Sequence, residues 1–318
     1  MKDKISDSRI MVSIACITYN HEKYIRDAIE GFLIQKTDFP IEIIIHDDAS
    51  TDGTANIIRE YGNKYPDLIK PIYQKINQFS LGIKVSPTFV WPKCRGKYTA
   101  ICEGDDYWTD PYKLQKQVDY LENHPEASLC FCLANCFYED GGEPYIFPSN
   151  VTKYDFDTED IMKSNFIMTC SAVFRNNLIK EVPRWFYASS PLDHLIFILL
   201  STYGKIHLIS DVMCSYRIHQ GGIWSMKGDR QIEKRMKDAI ITSKNLNEFF
   251  NFKYDTLYKD KINGYYVTLF RHYKSVKDFR NLLKANYNYF KDYPFLFMKY
   301  VTNYSKSVIK SALIKRIP

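Results

Sequence analysis

The sequence lacks several features that would place it in common protein classes. No run approaches the ~18 to 20 consecutive apolar residues that a membrane-spanning helix requires. No G-x-G-x-x-G fingerprint occurs, which argues against a dinucleotide-dependent oxidoreductase. Residues 1–9 are charged and lead directly into a strand-like segment, without the apolar region of a signal peptide. These absences predict a cytoplasmic protein.

Cysteine pairs of the C-x-x-C kind are also missing. The eight cysteines are irregularly spaced, and the densest group, Cys130, Cys132 and Cys136, falls in an apolar run that is typical of a buried strand. Because zinc sites usually show paired short spacings, we interpret the cysteines as reduced thiols of the core, with a metal site as the alternative.

What the chain contains is typical of a folded protein with one large or two ordinary domains. It has 318 residues, of which 45% are hydrophobic, 25% charged and 15% aromatic. These values are globular, and the length is sufficient to bury a large core. The net charge of +6 would attract phosphate-bearing ligands, anionic lipid or nucleic acid without selecting among them.

The first half alternates β-rich runs with helical patterns, which predicts a parallel sheet covered by helices. Strands are predicted at residues 11–18, 41–46, 69–74 and 98–102, helices at 22–35, 54–64 and 110–123, and an irregular or helical crossover at 84–94. In the third helix, Asp110 is the predicted cap and Pro111 the first helical residue.

After about residue 125 the pattern is mixed. It predicts strands at residues 129–137 and 168–174, a helix at 191–203, and short strands near 206 and at 212–217. Helical patterns alone follow beyond about residue 231. We therefore predict two domains, one of residues 1–228 and a helical C-terminal region of residues 229–318.

Two acidic segments directly follow predicted strands. Residues 103–106 read Glu-Gly-Asp-Asp, and residues 47–53 begin with two aspartates and are rich in turn and capping residues. Taken singly, each is an ambiguous acidic turn. Because the carboxyl ends of parallel strands meet at one edge of a sheet, we expect both segments to line one cleft with residues 18–20. A divalent cation shared with phosphate oxygens would offset their charge.

At these positions the sequence resembles the family 2 glycosyltransferases of GT-A fold. The resemblance lies in residues 12–20 (VSIACITYN), 43–54 (IIIHDDASTDGT) and 96–106 (GKYTAICEGDD), and it extends over roughly residues 10–225. It implies an α/β fold with a Rossmann-like, mixed but mainly parallel sheet, flanked by helices and followed by a helical C-terminal extension.

The resemblance also implies roles for individual residues. Tyr19 and Asp48 would line the nucleotide pocket, with Asp48 accepting hydrogen bonds from the base. Asp105 would approach the ribose and phosphates, and Asp106 would bind the Mn²⁺ or Mg²⁺ ion that bridges the diphosphate. Such an ion stabilises the negative charge that develops on the leaving nucleoside diphosphate.

Two further family elements resemble segments of the second half. The stretch at 190–194 places Asp193 near a predicted helix start, where the family keeps its catalytic base; the alternative is that Asp193 only favours the positive end of the helix. His194 is interpreted as a packing or hydrogen-bonding residue. Arg217 and His219 resemble a loop that closes over the diphosphate, with His219 near the metal, and a structural role is the alternative.

Weaker candidates are Lys84 and Arg95 as phosphate partners and Trp108 as a wall for the sugar, and surface or core roles explain them equally well. The C-terminal segment 295–316 combines apolar residues with lysines, in the manner of a basic amphipathic helix. It predicts contact with the inner face of the cell membrane, and packing against the catalytic domain is the alternative.

Together these observations predict an inverting, metal-dependent glycosyltransferase with a nucleoside-diphosphate-sugar donor, UDP-sugars being favoured. The acceptor would be a hydroxyl of a glycan or lipid-linked glycan, and no nucleic acid partner is expected. One alternative is a sugar nucleotidyltransferase, which would need a glycine-rich, basic loop where residues 19–22 read Tyr-Asn-His-Glu. The other is a non-catalytic protein that binds glycans or nucleotides.

Overall fold

The computed structural model describes residues 10–176, 178, 182–189, 192–222 and 229–303. Described residues up to 187 and those at 192–222 form one compact unit; residues 188, 189 and 229–303 form a second. The predicted boundary between residues 228 and 229 borders the segment 223–228, which lies outside the described residues. The division into domains 1–228 and 229–318 therefore stays a proposal.

A single sheet forms the centre of the first unit. Its strands are β1 (Val12–Thr18), β2 (Ile41–Asp47), β3 (Ile69–Tyr73), β4 (Tyr98–Ile101), β5 (Tyr107–Trp108), β6 (Ala127–Tyr138), β7 (Tyr145–Phe147), β8 (Asp155–Phe156), β9 (Val173–Arg175) and β10 (Lys205–Ile218). In the part of the chain that the structure describes, the order is β3-β2-β1-β4-β9-β6-β10-β5, with β7 on β6 and β8 on β10.

The sheet is mixed but mainly parallel, as predicted. Strands β1 to β4 pair in parallel, and so do β6 and β10. The short strand β9 joins these two groups because it pairs antiparallel with both β4 and β6. The carboxyl ends of β1, β2 and β4 consequently lie at the same edge.

Helices cover the sheet. They are α1 (Ile25–Leu33), α2 (Thr54–Lys64), α3 (Lys113–Asn123), α4 (Thr158–Lys163) and α5 (Leu192–Ser201), with short helical turns at Phe79–Leu81, Ser86–Val90, Trp91–Lys93, Thr169–Ser171 and Arg184–Ala188. One core cluster joins Ile14 of β1 and Ile45 of β2 to Phe32 of α1, Ile58 of α2 and Leu114 of α3. Burial of these apolar side chains is the main force that holds helices on strands.

Four predicted elements differ from the structure in type or limits. The two strands expected near 206 and at 212–217 are one continuous strand, β10, whose register shifts between Ile209 and Cys214 accommodate the polar interruption. The strand expected at 168–174 is a helical turn followed by β9 alone. Helix α3 begins at Lys113 because the Asp110 carboxylate accepts the backbone N–H of Tyr112 at 2.7 Å, before the helix.

The second unit is helical, as predicted. It contains α6 (Asp229–Phe249), α7 (Asp255–Ser275), α8 (Phe279–Asp292) and helical residues 294–303. Tyr289 of α8 stacks on Tyr266 of α7 at 4.5 Å and donates its hydroxyl to Asn263 at 2.6 Å. No helix in the described ranges is long and apolar enough to cross a bilayer.

All eight cysteines are free thiols, and each of them is buried except Cys94, which is partly exposed. Cys130, Cys132 and Cys136 lie in β6, which confirms their interpretation as core residues of a buried strand. Burial raises the pKa of the Cys130 thiol and keeps it protonated.

At the amino ends of β1 and β2, Glu42 forms the centre of a buried polar network. Its carboxylate accepts hydrogen bonds from the Ser13 hydroxyl at 2.7 Å, from the Arg95 backbone N–H at 2.8 Å, and from the Arg95 guanidinium at 2.6 and 2.9 Å. The Ser13 hydroxyl in turn accepts the N–H of Gly96 at 2.8 Å. Arg95 therefore lies at the edge opposite the acidic loop, and its prediction as a phosphate partner is wrong.

We expect Glu42→Ala to destabilise the fold by about 2–4 kcal/mol, because it leaves the Ser13 hydroxyl and the Arg95 N–H without their acceptor. Glu60→Ala is the matched control, since it breaks an exposed pair with Arg26 and should change stability little. Urea unfolding of the two variants measures the difference. Equal losses of stability would show that the Glu42 network does not hold these strands together.

Candidate active site

The loops that follow β1 and β2 are hydrogen-bonded to each other. Asn20 and Ala49 both adopt left-handed backbone conformations, with φ of 55° and 61°. The backbone N–H of Asn20 donates to the Ser50 hydroxyl at 2.9 Å, and the Asn20 side-chain oxygen accepts the N–H of Thr51 at 2.8 Å. Tyr19 stands beside this junction with its side chain exposed. The two loops therefore hold each other in place, and the Tyr19 ring beside them is exposed to solvent.

Asp48 is buried at the end of β2 and organises the neighbouring turn. One carboxylate oxygen accepts the N–H of Gln78 at 2.9 Å, and the other accepts the N–H of Phe79 at 3.0 Å. These bonds fix the start of the helical turn Phe79–Leu81. Since each oxygen has two lone pairs, the carboxylate can still accept hydrogen bonds from a ligand.

The acidic loop at residues 103–106 is pressed onto the end of β1. The N–H of Gly104 donates to the carbonyl of Ile17 at 2.9 Å. A Cβ at position 104 would lie 2.6 Å from the Thr18 hydroxyl oxygen, so only glycine fits this approach. Glycine here brings the three acidic side chains of the loop to the carboxyl edge of the sheet.

Asp106 ties this loop to the end of β10. One of its oxygens accepts the backbone N–H of Arg217 at 2.9 Å, and the other is buried without a hydrogen-bond partner among the described residues. Burial, followed by the charges of Asp105 and Glu103, raises the pKa of Asp106 well above its ordinary value. The side chain is a buried link between two segments of the site.

The Arg217 guanidinium is engaged by protein groups. Its Nε donates to the backbone oxygen of Asp105 at 3.0 Å, Nη2 donates to Asp27 at 2.8 Å, and the group lies 4.6 Å above the Tyr24 ring. These contacts position the acidic loop against α1. Contact between Arg217 and a nucleotide stays a prediction.

Two histidines lie next to the carboxylate of Asp105. Its Oδ2 lies 3.0 Å from Nε2 of His219 and 3.6 Å from Nε2 of His21. Possible ligand atoms of these three residues all lie within 4.8 Å of one another, and no other such group is found in the described part of the chain. Burial opposes ionisation of Asp105, but the two imidazoles hold its pKa below the ordinary value. His219 is thus joined to Asp105 and not to Asp106.

Glu103 and Asp193 are two further carboxyl groups of the candidate site. Asp193 lies in the first turn of α5, and Thr169 donates a long hydrogen bond of 3.5 Å to it. Burial raises the pKa of Asp193. Burial and then the charges of Asp105 and Asp193 raise the pKa of Glu103 to about 8. No role is predicted for Glu103 from the sequence, yet the charge of the candidate base Asp193 acts on its carboxyl group.

The residues around Asp193 are described only in part. Positions 190 and 191 lie outside the described residues, so the helix start predicted at Pro191 is untested. Helix α5 is described from Leu192 onward. The His194 ring lies 2.6 Å from the backbone oxygen of Ile161, as expected for a packing and hydrogen-bonding residue.

Unsatisfied polar atoms concentrate at this edge of the sheet. Within the described ranges, ten buried side-chain N or O atoms lack a hydrogen-bond partner. Six of them belong to residues of the site: Thr18, His21, His46, Asp47, Glu103 and Asp106. Buried polar groups are normally paired, so this concentration indicates a place where a polar ligand or ion binds.

One weaker candidate lies away from this edge. Trp108 is fully buried and donates its indole N–H to the backbone oxygen of Cys170 at 2.8 Å, so its prediction as a wall for a sugar is wrong. Lys84, two residues before the turn Ser86–Val90, is only partly exposed, and its role as a phosphate partner stays a prediction.

Comparisons with known proteins identify a matching family and similar chains. The family described as Glycosyl transferase family 2 matches residues 13–182, more than half of the chain. An uncharacterized protein of Mycobacterium tuberculosis is 42% identical over 214 residues, which are 67% of this chain and 60% of that protein. The chain thus spans 60% of the length of this relative.

A second relative and a solved structure carry functional descriptions. The putative teichuronic acid biosynthesis glycosyltransferase TuaG of Bacillus subtilis is 33% identical over 165 residues, covering 51% of this chain and 61% of TuaG. The S. aureus TarS fragment 1–349, solved with UDP-GlcNAc, superposes with a TM-score of 0.55 at 18% identity, covering 89% of this chain and 92% of that chain. This likeness, with the family match, confirms the predicted GT-A fold.

We expect the metal-free protein to lose stability as the pH rises from about 4.5 to about 8. In that window the raised pKa keeps Glu103 protonated in the folded state, whereas it is ionised in the unfolded chain, so stability falls with increasing pH. Glu103→Gln cannot ionise and should make this slope shallower. Thermal unfolding across the window measures it, with the exposed Glu60→Gln as control. Identical slopes for wild type and Glu103→Gln would contradict the raised pKa.

Proposed function

The chain belongs to glycosyl transferase family 2, and from that premise we propose that it transfers a sugar from a nucleoside-diphosphate-sugar, a UDP-sugar first, to a hydroxyl of a glycan or lipid-linked glycan. The observation that carries this proposal is the convergence of Asp48, Asp105, His219 and Asp193 around the carboxyl edge of β1, β2 and β4. The TarS complex with UDP-GlcNAc supports the donor class, and the similarity to TuaG, a putative teichuronic acid biosynthesis glycosyltransferase, supports a surface-glycan acceptor.

Tyr19 and Asp48 supply what a nucleotide base needs. The exposed Tyr19 ring offers a flat apolar surface for stacking, and the remaining lone pairs of Asp48 can accept a base N–H. The hydrogen-bonded loops hold both residues in place before a ligand arrives. Binding of the base would therefore require little ordering of the protein.

The cluster of Asp105 and His219 fits a divalent cation. A carboxylate oxygen and an imidazole nitrogen 3.0 Å apart are both metal-binding atoms. Glu103 and Asp106, in the same loop as Asp105, each have a buried oxygen without a hydrogen-bond partner among the described residues. We propose that Asp105 and His219 hold Mn²⁺ or Mg²⁺. When bound, such an ion stabilises the charge on the departing diphosphate. In this proposal Asp106 positions the loop instead of binding the ion.

Asp193 is the proposed general base. It removes the proton from the acceptor hydroxyl as that oxygen forms a bond to the anomeric carbon and the bond from this carbon to the diphosphate oxygen breaks. The raised pKa strengthens Asp193 as a proton acceptor. A single displacement of this kind inverts the anomeric configuration and needs no covalent intermediate.

Two alternatives predict different products. A sugar nucleotidyltransferase would release pyrophosphate, but residues 19–22 form a loop without the basic glycine-rich character that such enzymes need. A non-catalytic binding protein would bind a nucleotide sugar without turnover. The buried carboxyl groups with raised pKa values favour an enzyme, because perturbed pKa values concentrate at catalytic sites.

Release of nucleoside diphosphate from UDP-, GDP- and dTDP-sugars, with Mn²⁺ or Mg²⁺ and acceptor glycan, tests the reaction. We expect Asp193→Asn to slow turnover by about 10²- to 10⁴-fold while nucleotide binding is retained. Asp105→Asn should weaken metal-dependent binding as well. Asp119→Asn, an exposed carboxylate of α3, is the control and should behave as wild type.

Three results would contradict parts of this proposal. Wild-type activity in Asp193→Asn would exclude it as the base. Loss of metal binding in Asp106→Asn, with metal binding intact in Asp105→Asn, would favour the ligand assignment made from the sequence. Release of pyrophosphate, or binding of donors without release of any product, would favour one of the two alternatives.

We also propose that α8 contacts an anionic membrane surface. Phe279, Leu283, Tyr287 and Phe290 are 63%, 72%, 64% and 49% exposed, and their spacing places them on one face of the helix. The sequence predicts the contact at residues 295–316, of which 304–316 lie outside the described residues. The described part of that segment continues the pattern, with Phe295 90% exposed.

Charge supports a membrane as the occupant of this face. Arg280, Lys284 and Lys291 are exposed and lie along the border of the apolar stripe, and Ala285 and Tyr289 occupy the buried side of α8. An apolar stripe bordered by cations is the pattern that binds anionic lipid headgroups.

We expect the protein to sediment with vesicles of phosphatidylglycerol much more than with vesicles of phosphatidylcholine, and high salt to weaken the binding. The double variant Leu283→Gln/Phe290→Gln should lose most of it. Ile241→Gln/Phe252→Gln removes exposed apolar groups elsewhere in the same unit and should bind as wild type. The membrane assignment is wrong if both double variants bind vesicles equally. It is also wrong if the wild type is a dimer that only Leu283→Gln/Phe290→Gln dissociates.

A further inference from the structure

We propose that His21 is a third protein ligand of the cation site, so that two imidazoles and one carboxylate select Mn²⁺ and related transition metals over Mg²⁺. The inference rests on the proposed function in one respect only, namely that the site formed by Asp105 and His219 takes a divalent cation. Neither the sequence pattern nor the resemblance to the family assigns a role to His21.

The first observation is that the His21 imidazole makes no hydrogen bond to another described residue. The His21 ring is only 16% exposed, and its Nδ1 is buried without a partner among the described residues. Its Nε2 lies 3.6 Å from Asp105, which is too long for a hydrogen bond. A buried imidazole in this state is costly unless a further group satisfies it. A cation between Nε2 of His21 and Oδ2 of Asp105 would be a partner for that nitrogen and for the carboxylate, although it would not pair with Nδ1.

The second observation is convergence from independent segments. Nε2 of His21 and Nε2 of His219 both face the same oxygen of Asp105, and the two rings lie edge to face with centroids 6.2 Å apart. One histidine follows β1, the other follows β10, and Asp105 belongs to the acidic loop. Packing alone could place one histidine beside this oxygen. It explains less easily why two histidines from different segments contact the same oxygen.

The third observation is the rigid support of His21. Its backbone oxygen accepts the N–H groups of Tyr24 and Ile25 at 2.9 and 2.8 Å, at the start of α1. The preceding residue, Asn20, is fixed to the loop that follows β2. A ligand held in this way loses little conformational freedom when a metal binds, which favours tight coordination.

The chemistry of the three ligands gives the selectivity. Mg²⁺ prefers oxygen ligands and retains its waters, whereas imidazole nitrogen binds transition metals more strongly. A site with only Asp105 and His219 would discriminate weakly. The second imidazole shifts the preference away from Mg²⁺ and leaves positions for the oxygens of the diphosphate.

Pulsed EPR of Mn²⁺ bound together with UDP tests the inference directly, because it counts the imidazole nitrogens on the ion. We expect two nitrogens in the wild type and one each in His21→Ala and His219→Ala. His21→Ala should also bind Mn²⁺ at least about tenfold more weakly, and its preference for Mn²⁺ over Mg²⁺ should fall. His124→Ala, which replaces a half-exposed histidine after α3, should retain two nitrogens.

Thermal unfolding of the metal-free variants, with His21→Gln as a second substitution, checks that the fold is intact. One nitrogen in the wild type, or two in His21→Ala, overturns the inference while leaving the proposed transferase activity untouched. An unchanged preference between the two metals in His21→Ala also overturns it. If the wild type binds no Mn²⁺ with UDP, both this inference and the proposed metal dependence fail.

Discussion

The site depends on one constraint, which is that several carboxyl groups are confined at the carboxyl edge of a buried parallel sheet. The close approach of Gly104 to β1 creates this confinement. The fold resolves the resulting repulsion differently for each group: Asp106 accepts a backbone N–H, Asp105 faces two imidazoles, and Glu103 retains a proton up to about pH 8. The loops around the site allow all three arrangements to exist at the same time.

Much of the sheet was predictable because buried parallel strands are continuous apolar runs. Strands β1 and β2 and helix α2 begin and end within one residue of their predicted limits. The pattern failed where tertiary contacts override it. In β10, two polar positions in the middle of the strand resemble a turn in sequence, whereas the strand pairs with β6 on both sides of them.

The sequence predicts where the candidate site lies but not the contacts of its side chains. Spacing alone places an acidic pair after β4, yet it does not show that Asp105 faces His219 while Asp106 faces the backbone of Arg217. Likewise, the sequence predicts Arg217 in a loop that closes over the diphosphate, and only the structure shows its hydrogen bond to Asp27. His21 carried no signal except its place beside the Tyr19-Asn20 pair.

The two bonds from Asp48 to the turn Phe79–Leu81 have a thermodynamic consequence under the proposed function. The carboxylate that would recognise the base already holds the amides of Gln78 and Phe79. Base recognition and the position of this turn are then linked equilibria, and the linkage is reciprocal. A glycan that contacts the exposed side chains of Phe79 and Leu81 would therefore change the affinity for the donor. The donor would change the affinity for that glycan by the same factor.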